Sequence, residues 1–172
     1  VDDDGFEKLI SGINTRFLGS LKIERLVMAI DMFFRAQTRD NCQYEMRYNE
    51  NWEQDNGASM QIVLAWRNAP KQNFLYRMAR IIHRHNLMMT RVNATYINTY
   101  SRESTLVMTL DLHGSSGQAA WDVANIVDFL RDFLTVKYFA SFDVIDQHLV
   151  SKQFISGIMG NFLRSSVNFI HQ

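Results

Sequence analysis

Hydrophobic and polar residues alternate with a period of two in the middle of the chain. The apolar positions of one face are Met60, Ile62, Leu64 and Trp66 in a first segment and Leu106, Met108, Leu110 and Leu112 in a second. Side chains of a β-strand point alternately to its two faces, so this pattern predicts strands at residues 60–66 and 105–112. Further strands are predicted at residues 42–48, 92–100 and 136–141, the second of these from its Thr, Tyr and β-branched residues.

Other segments repeat apolar residues every three or four positions, which is the spacing of a helix face. One helix is predicted to begin near Ser20, which is a suitable N-cap. Four more are predicted at residues 74–85, 118–133, 143–149 and 154–170.

Residues 59–141 therefore have the order strand–helix–strand–strand–helix–strand. Right-handed crossovers place both helices on one face of a four-stranded antiparallel sheet, so the order predicts an α+β, ferredoxin-like βαββαβ sandwich. Residues 1–58 are interpreted as an N-terminal extension and residues 142–172 as a C-terminal helical segment. We expect the helices of these flanking parts to cover the free face of the sheet or to contact another subunit.

Charge and composition narrow the classes of function. The 18 basic and 18 acidic residues cancel, so no overall field attracts nucleic acid or a membrane. No apolar run approaches the roughly 18 residues of a membrane span. A single cysteine, Cys42, suits a reducing compartment, and a cytoplasmic location is expected. The chain starts with acidic residues and no initiator Met, and it stops in an apolar helical pattern, so we expect it to be an excerpt of a longer polypeptide.

Nucleic-acid binding is also disfavoured by the second face of the strand at residues 105–112. An RNA-binding sheet of this type needs exposed aromatic residues on which bases stack. The positions predicted to face outward are instead Thr105, Val107, Thr109 and Asp111.

Residues that could carry chemistry are few and scattered. His83 and His85 lie two apart on a helix and diverge, whereas Asp111 and His113 lie two apart on a strand and share a face. Two ligands at a strand end are a weak metal signal, and a solvated strand end is the favoured interpretation. Cys42 is expected to be a small buried hydrophobe. The residue patterns therefore assign no catalytic and no metal-binding residue.

The two central helices carry opposite charges. The first has the basic stripe Arg77, Arg80 and Arg84, and the second has Asp122, Asp128 and Asp132. The stripe could recognise an anion, but mutual charge complementation between neighbouring helices is the favoured interpretation.

The turn at residues 67–73 gathers hydrogen-bond donors before a helix, where backbone N–H groups favour an anion. It predicts an effector site formed by Asn68, Lys71, Gln72 and Asn73. The alternative is purely structural, with Asn68 capping the helix and Pro70 starting it.

The run of residues 62–70, IVLAWRNAP, the helix of residues 74–82, FLYRMARII, and the stop at residues 85–87, HNL, together resemble an ACT domain. This resemblance covers residues 59–141. It implies binding of an amino acid or related metabolite and regulation of an attached enzyme, often through dimer contacts. The family turn usually has Asp where Asn68 stands and Gly where Lys71 stands, which puts the usual close approach of the ligand in doubt.

Residues 33–40, 135–142 and 167–172 make the chain similar to the N-terminal region of large NAD-dependent glutamate dehydrogenases. The similarity implies a parent that oxidatively deaminates glutamate to 2-oxoglutarate, with its catalytic portion downstream and NAD bound there. No cofactor and no catalytic residue is carried over to this chain.

The leading hypothesis is a non-catalytic, ACT-like regulatory segment that forms a homo-oligomer and takes an amino-acid effector. The alternative is a structural oligomerisation module without a ligand. A small acylphosphatase-like enzyme is a weaker third hypothesis, because no suitable Gly-rich loop and Arg are found.

Overall fold

A computed structural model describes Ile13, Lys152 and residues 15–55, 57–98, 104–138, 145–150 and 154–170. These residues form an α+β structure with a four-stranded antiparallel sheet. The strands are β1 (Gln43–Tyr48), β2 (Met60–Arg67), β3 (Leu87–Asn98) and β4 (Ser104–Gly114), in the spatial order β1-β2-β4-β3. The α-helices are α1 (Thr15–Ser20), α2 (Ile23–Gln37), α3 (Phe74–Arg84), α4 (Ala120–Val123), α5 (Ile126–Leu134) and α6 (Gly157–Ile170), with a 3₁₀ turn at Val136–Tyr138 and a π turn at Asp146–Val150.

One face of the sheet is covered by α3 and α5, as the order of the elements predicts. The alternating apolar residues of β2 and β4 are all buried on this face. They pack with Phe74, Met78 and Ile82 of α3 and with Phe129 and Phe133 of α5. Burial of each such side chain contributes about 1.5–3 kcal/mol, so this layer holds the main core.

The opposite face of the sheet is covered by α2. Its residues Ala29, Met32, Phe33 and Ala36 are buried against Val63, Ala65, Ile97 and Val107 of the strands. The prediction that a flanking helix covers the free face is confirmed for α2. The positions of β4 that were expected to face outward are therefore buried, which the alternation of β4 alone does not reveal.

The sheet edge beside β2 is formed by β1, which pairs antiparallel with β2. The prediction of a strand at residues 136–141 is wrong over Val136–Tyr138, which form a 3₁₀ turn, while residues 139–141 lie outside the described part. Strands from both sides of position 58 thus belong to one sheet. The division of the chain into residues 1–58, 59–141 and 142–172 stays a prediction.

Hydrogen bonds to Asp40 explain why the Val136–Tyr138 segment is not a strand. The backbone oxygen of Asp40 accepts bonds from Trp66 Nε1 at 3.2 Å and from the Tyr138 hydroxyl at 2.9 Å. Its carboxylate lies 2.6 Å from Lys137 Nζ, and this hydrogen bond lowers the pKa of Asp40. The segment is held by its side chains against the α2–β1 connection.

Two further differences from prediction have local causes. The helix expected at residues 118–133 is broken, because the Asn125 side chain accepts bonds from the N–H groups of Val127 and Asp128 and caps α5 instead. The helix expected from Ser20 begins at Ile23. The Ser20 hydroxyl donates to the Phe17 carbonyl and so belongs to the end of α1.

Candidate functional site

A cleft of about 680 Å³ lies where the start of α2, the loop between β1 and β2, and one end of the sheet meet. Its charged lining residues are Lys22, Glu24, Arg25, Arg47, Asp55, Arg91 and Asp111, and His113 lies beside them. Gln61, Val63 and Thr90 complete much of its floor. A cleft of this size is in the range that binds small ligands.

The floor of the cleft contains one polar row that crosses all four strands. Antiparallel pairing sets Arg47 of β1 opposite Gln61 of β2, Gln61 opposite Asp111 of β4, and Asp111 opposite Arg91 of β3. Directly paired residues share a face of the sheet. The register therefore brings two arginines, an amide and a carboxylate into line beneath α2.

Asp111 is the deepest of these groups, at 8% exposure. Arg25 of α2 reaches down to it, with Nη2 at 2.5 Å from Oδ1. A β-bulge interrupts the ladder between Met89 and Arg91, and the Thr90 hydroxyl donates to the Asp111 backbone oxygen at 3.1 Å. The β-bulge and the Arg25–Asp111 ion pair together fix the orientation of the side chains on the floor of the cleft.

The remaining charges of the cleft are less constrained. Arg47 is paired along its own strand with Glu45, 2.9 Å away, in an exposed contact. Arg91 makes no ion pair with any residue that the structure describes. Asp55 accepts a long bond from Asn49, and it lies in the exposed loop at the rim. Among the described lining residues there are three guanidinium and three carboxylate groups, and of these six Arg25 and Asp111 alone are not exposed.

His113 closes one side of the cleft. Its Nδ1 accepts a bond from the backbone N–H of Ser59 at 3.3 Å, and its ring lies against Trp52 with centroids 4.9 Å apart. The Ser59 hydroxyl in turn donates to the Leu112 carbonyl. His113 and Asp111 share a face as predicted, but each already has a partner within the protein.

The turn predicted as an effector site lies elsewhere, at the start of α3. Asn68, Lys71, Gln72 and Asn73 are all exposed, and none of them lines the cleft. Asn68 and Asn73 have positive φ angles of 55° and 57°, which Asn tolerates better than most residues. Lys71 Nζ lies 5.8 Å from the centre of the Tyr96 ring.

The structural alternative for this turn is wrong in its details. The helix begins at Phe74, so neither Asn68 nor Pro70 starts it, and Asn73 takes the N-cap position without a side-chain bond. Asn68 instead donates its N–H to the Ser104 carbonyl at 2.7 Å, and the Pro70 carbonyl accepts the Tyr96 hydroxyl. These bonds tie the turn to β3 and β4.

The charge complementation predicted between the two central helices is present at Asp132. Its Oδ2 lies 2.8 Å from Arg84 Nη2 and 3.0 Å from His85 Nε2. Burial alone raises the pKa of Asp132, but the hydrogen bond with His85 and the charge of Arg84 outweigh it and hold the pKa below its usual value. Asp128 pairs with Arg131 of its own helix instead.

Cys42 is buried, and that burial raises the pKa of its thiol. Across the residues with described positions, no group of three or more His, Cys, Asp or Glu side chains is placed to hold a metal ion. No helix in the described part of the chain has the length and apolar character needed to cross a membrane. Neither finding assigns chemistry to a residue.

Comparisons with protein-family models, curated proteins and solved structures find no match to this chain. The candidate site therefore rests on geometry. Sequence reasoning missed Arg25, Arg47, Gln61 and Arg91, because only the strand register brings these residues together. The signal in the sequence was Asp111, an acidic residue on a strand with a regular apolar face.

Proposed function

We propose that this chain is a ligand-responsive regulatory module of a larger metabolic enzyme, with a ferredoxin-like arrangement of its central sheet and helices. The cleft carries this proposal. It is lined by α2, by the loop before β2 and by all four strands. A ligand bound in the cleft would contact segments that are distant in sequence. A ligand that binds one arrangement of these segments more tightly than another shifts the population toward that arrangement.

The placement of α3 and α5 on one face of an antiparallel sheet supports the ACT-like interpretation. The similarity to large NAD-dependent glutamate dehydrogenases supplies the proposed parent, in which NAD and the catalytic portion lie outside this chain. The proposal keeps an amino acid as the effector. The two sites proposed for it are the cleft and the Asn68–Asn73 turn.

A thermal-shift screen against amino acids, nucleotides and tricarboxylic-acid metabolites tests the module. A ligand at 100 times its Kd stabilises the native state by about 2.7 kcal/mol, which is readily measured. Loss of the shift in Asn68→Ala and Lys71→Ala would locate the ligand at the turn. If no metabolite changes the melting temperature, the regulatory proposal fails.

A structural oligomerisation module is the second candidate, and α6 favours it. The side chains of Phe154, Ile158, Met159 and Phe162 are exposed, and three of them recur at helical spacing. Sedimentation of the chain and of Phe162→Ser tests this oligomer contact, and the response to metabolites separates the two candidates. Under this second proposal the chain is an oligomer, Phe162→Ser shifts it to monomer, and metabolites have no effect.

A further inference from the structure

The chemical class of the cleft's ligand follows from the arrangement of the charged side chains that line the cleft. We propose that the cleft binds a small anion bearing a carboxylate or phosphate group, held by Arg25, Arg47 and Arg91. The inference deepens the proposed regulatory function and relies on it for its biological meaning. Whether the cleft binds an anion is tested separately from the regulatory function.

Three guanidinium groups reach the cleft from three different elements, namely α2, β1 and β3. Of the residues that the structure describes, Asp111 supplies the one carboxylate on the floor between them. A single carboxylate cannot neutralise Arg25 above it and also Arg91 directly opposite it in the ladder. Among the described residues, Arg91 is therefore left without a carboxylate partner on the floor of the cleft.

Arginine suits this task because its planar fork donates two parallel bonds to a carboxylate or phosphate. Arg25 uses Nη2 for Asp111, and its guanidinium has five donors in total. Arg25 is thus able to hold Asp111 and a ligand oxygen at the same time. Arg91 is exposed, so its guanidinium is accessible to a ligand from solvent.

The acidic residues of the lining do not reverse this preference. Glu24 and Asp55 are exposed, the first in the opening turn of α2 and the second in the loop at the rim. Neither belongs to the row of paired floor residues that contains Arg47, Asp111 and Arg91. A cation would have to displace Arg25 from Asp111 to reach the one buried acid.

The test uses a matched pair of four-carbon probes, succinate as the dianion and 1,4-diaminobutane as the dication, together with inorganic phosphate. Each is titrated at constant ionic strength into the full chain, and amide chemical shifts and calorimetric heats are recorded. We expect succinate or phosphate to shift the amides of Gln61, Thr90, Arg91 and Asp111, and 1,4-diaminobutane to leave them unchanged. Binding of phosphate but not of succinate would indicate that the natural ligand is a phosphate ester. Binding of succinate but not of phosphate would indicate a carboxylate.

Substitutions of exposed arginines leave the fold intact and show which side chains bind the anion. Arg91→Gln should weaken binding of the anion about tenfold, the effect of losing one charge-assisted hydrogen bond in a partly exposed site. Arg35→Gln is the control, since Arg35 lies on α2 but pairs with the exposed Asp31. Its Kd should stay within a factor of about two of the unsubstituted chain.

Three results overturn the proposal: no binding of either anion, preferential binding of 1,4-diaminobutane, or anion binding that Arg91→Gln does not weaken. None of them by itself refutes the regulatory module, which the metabolite screen tests. Conversely, binding of inorganic phosphate at the cleft without a response to any metabolite of the screen would uphold the anion site and refute the regulatory function.

Discussion

Asp132 offers a sharp test of how the helical layer is held together. Its side chain is 12% exposed, and those of its partners Arg84 and His85 are 17% and 16% exposed. Asp132→Asn keeps the shape of the side chain but removes its charge. Since the largely buried Arg84 and His85 then lose the charge of the Asp132 carboxylate, we expect a clear loss in the free energy of unfolding.

The magnitude lies between two known limits. Removing one partner of a fully buried ion pair costs about 3–5 kcal/mol, whereas an exposed pair contributes about 0.2–1 kcal/mol. The intermediate burial of Asp132 places the expected loss at about 2–3 kcal/mol. Asp128→Asn is the matched control, because Asp128 and Arg131 are about half exposed on the same helix. That change should cost less than about 0.5 kcal/mol.

The pH dependence gives a second, independent readout. The pKa of Asp132 is lowered in the folded protein from its usual value of 3.8. A group of this kind stabilises the fold above its unfolded-state pKa, and the contribution is lost as the pH falls through the lowered folded-state pKa. The difference between the unsubstituted chain and Asp132→Asn should therefore be full at pH 7 and shrink in strong acid.

Urea unfolding followed by circular dichroism, at several pH values from neutral to strongly acidic, measures both quantities. Equal losses for Asp132→Asn and Asp128→Asn would refute the assignment of the ion pair to the buried layer. A difference between the unsubstituted chain and Asp132→Asn that persists unchanged in acid would refute the role of the Asp132 charge.

Three further predictions concern single positions. Gly114→Ala should destabilise by about 1–3 kcal/mol, because a Cβ there would lie 2.8 Å from Val123 and 2.9 Å from the backbone oxygen of Gln118. Gly19→Ala should instead stabilise by up to about 1 kcal/mol, since Gly19 is helical with open space around it; urea unfolding measures both changes. The Cys42 thiol should react slowly with a disulfide reagent in the native state and rapidly in urea, because burial raises its pKa and blocks access.

Secondary structure is predicted best from the sequence where a single hydrophobic periodicity runs through a whole element. β2, β4 and α3 are confirmed because their apolar residues recur at a single spacing over a full element. The 3₁₀ turn at Val136–Tyr138 is missed because its conformation depends on Asp40, almost a hundred residues away in the chain. A local pattern contains no information about such a partner.

The same reasoning explains why the turn at residues 68–73 was chosen and the cleft was not. A turn is contiguous in sequence, so its donors can be seen side by side. The cleft's row joins Arg47, Gln61, Asp111 and Arg91, which are neighbours only through the pairing of four strands. A shift of one residue in any pairing would turn a member of the row to the other face.

Asp111 nevertheless shows how part of this site can be inferred before the register is known. It is the only charged residue within β4, and a charge on a strand whose two faces are both buried needs a partner of opposite sign. That partner must come from the element covering the strand, and of the basic residues near the start of α2, Arg25 meets this requirement. The pair in turn fixes the position of α2 over the sheet and leaves Arg91 across the ladder without a share of the carboxylate. The role that we assign to Arg91 in anion binding thus follows from a requirement of folding, because the buried acid orients the helix through Arg25 and Arg91 is left facing the cleft.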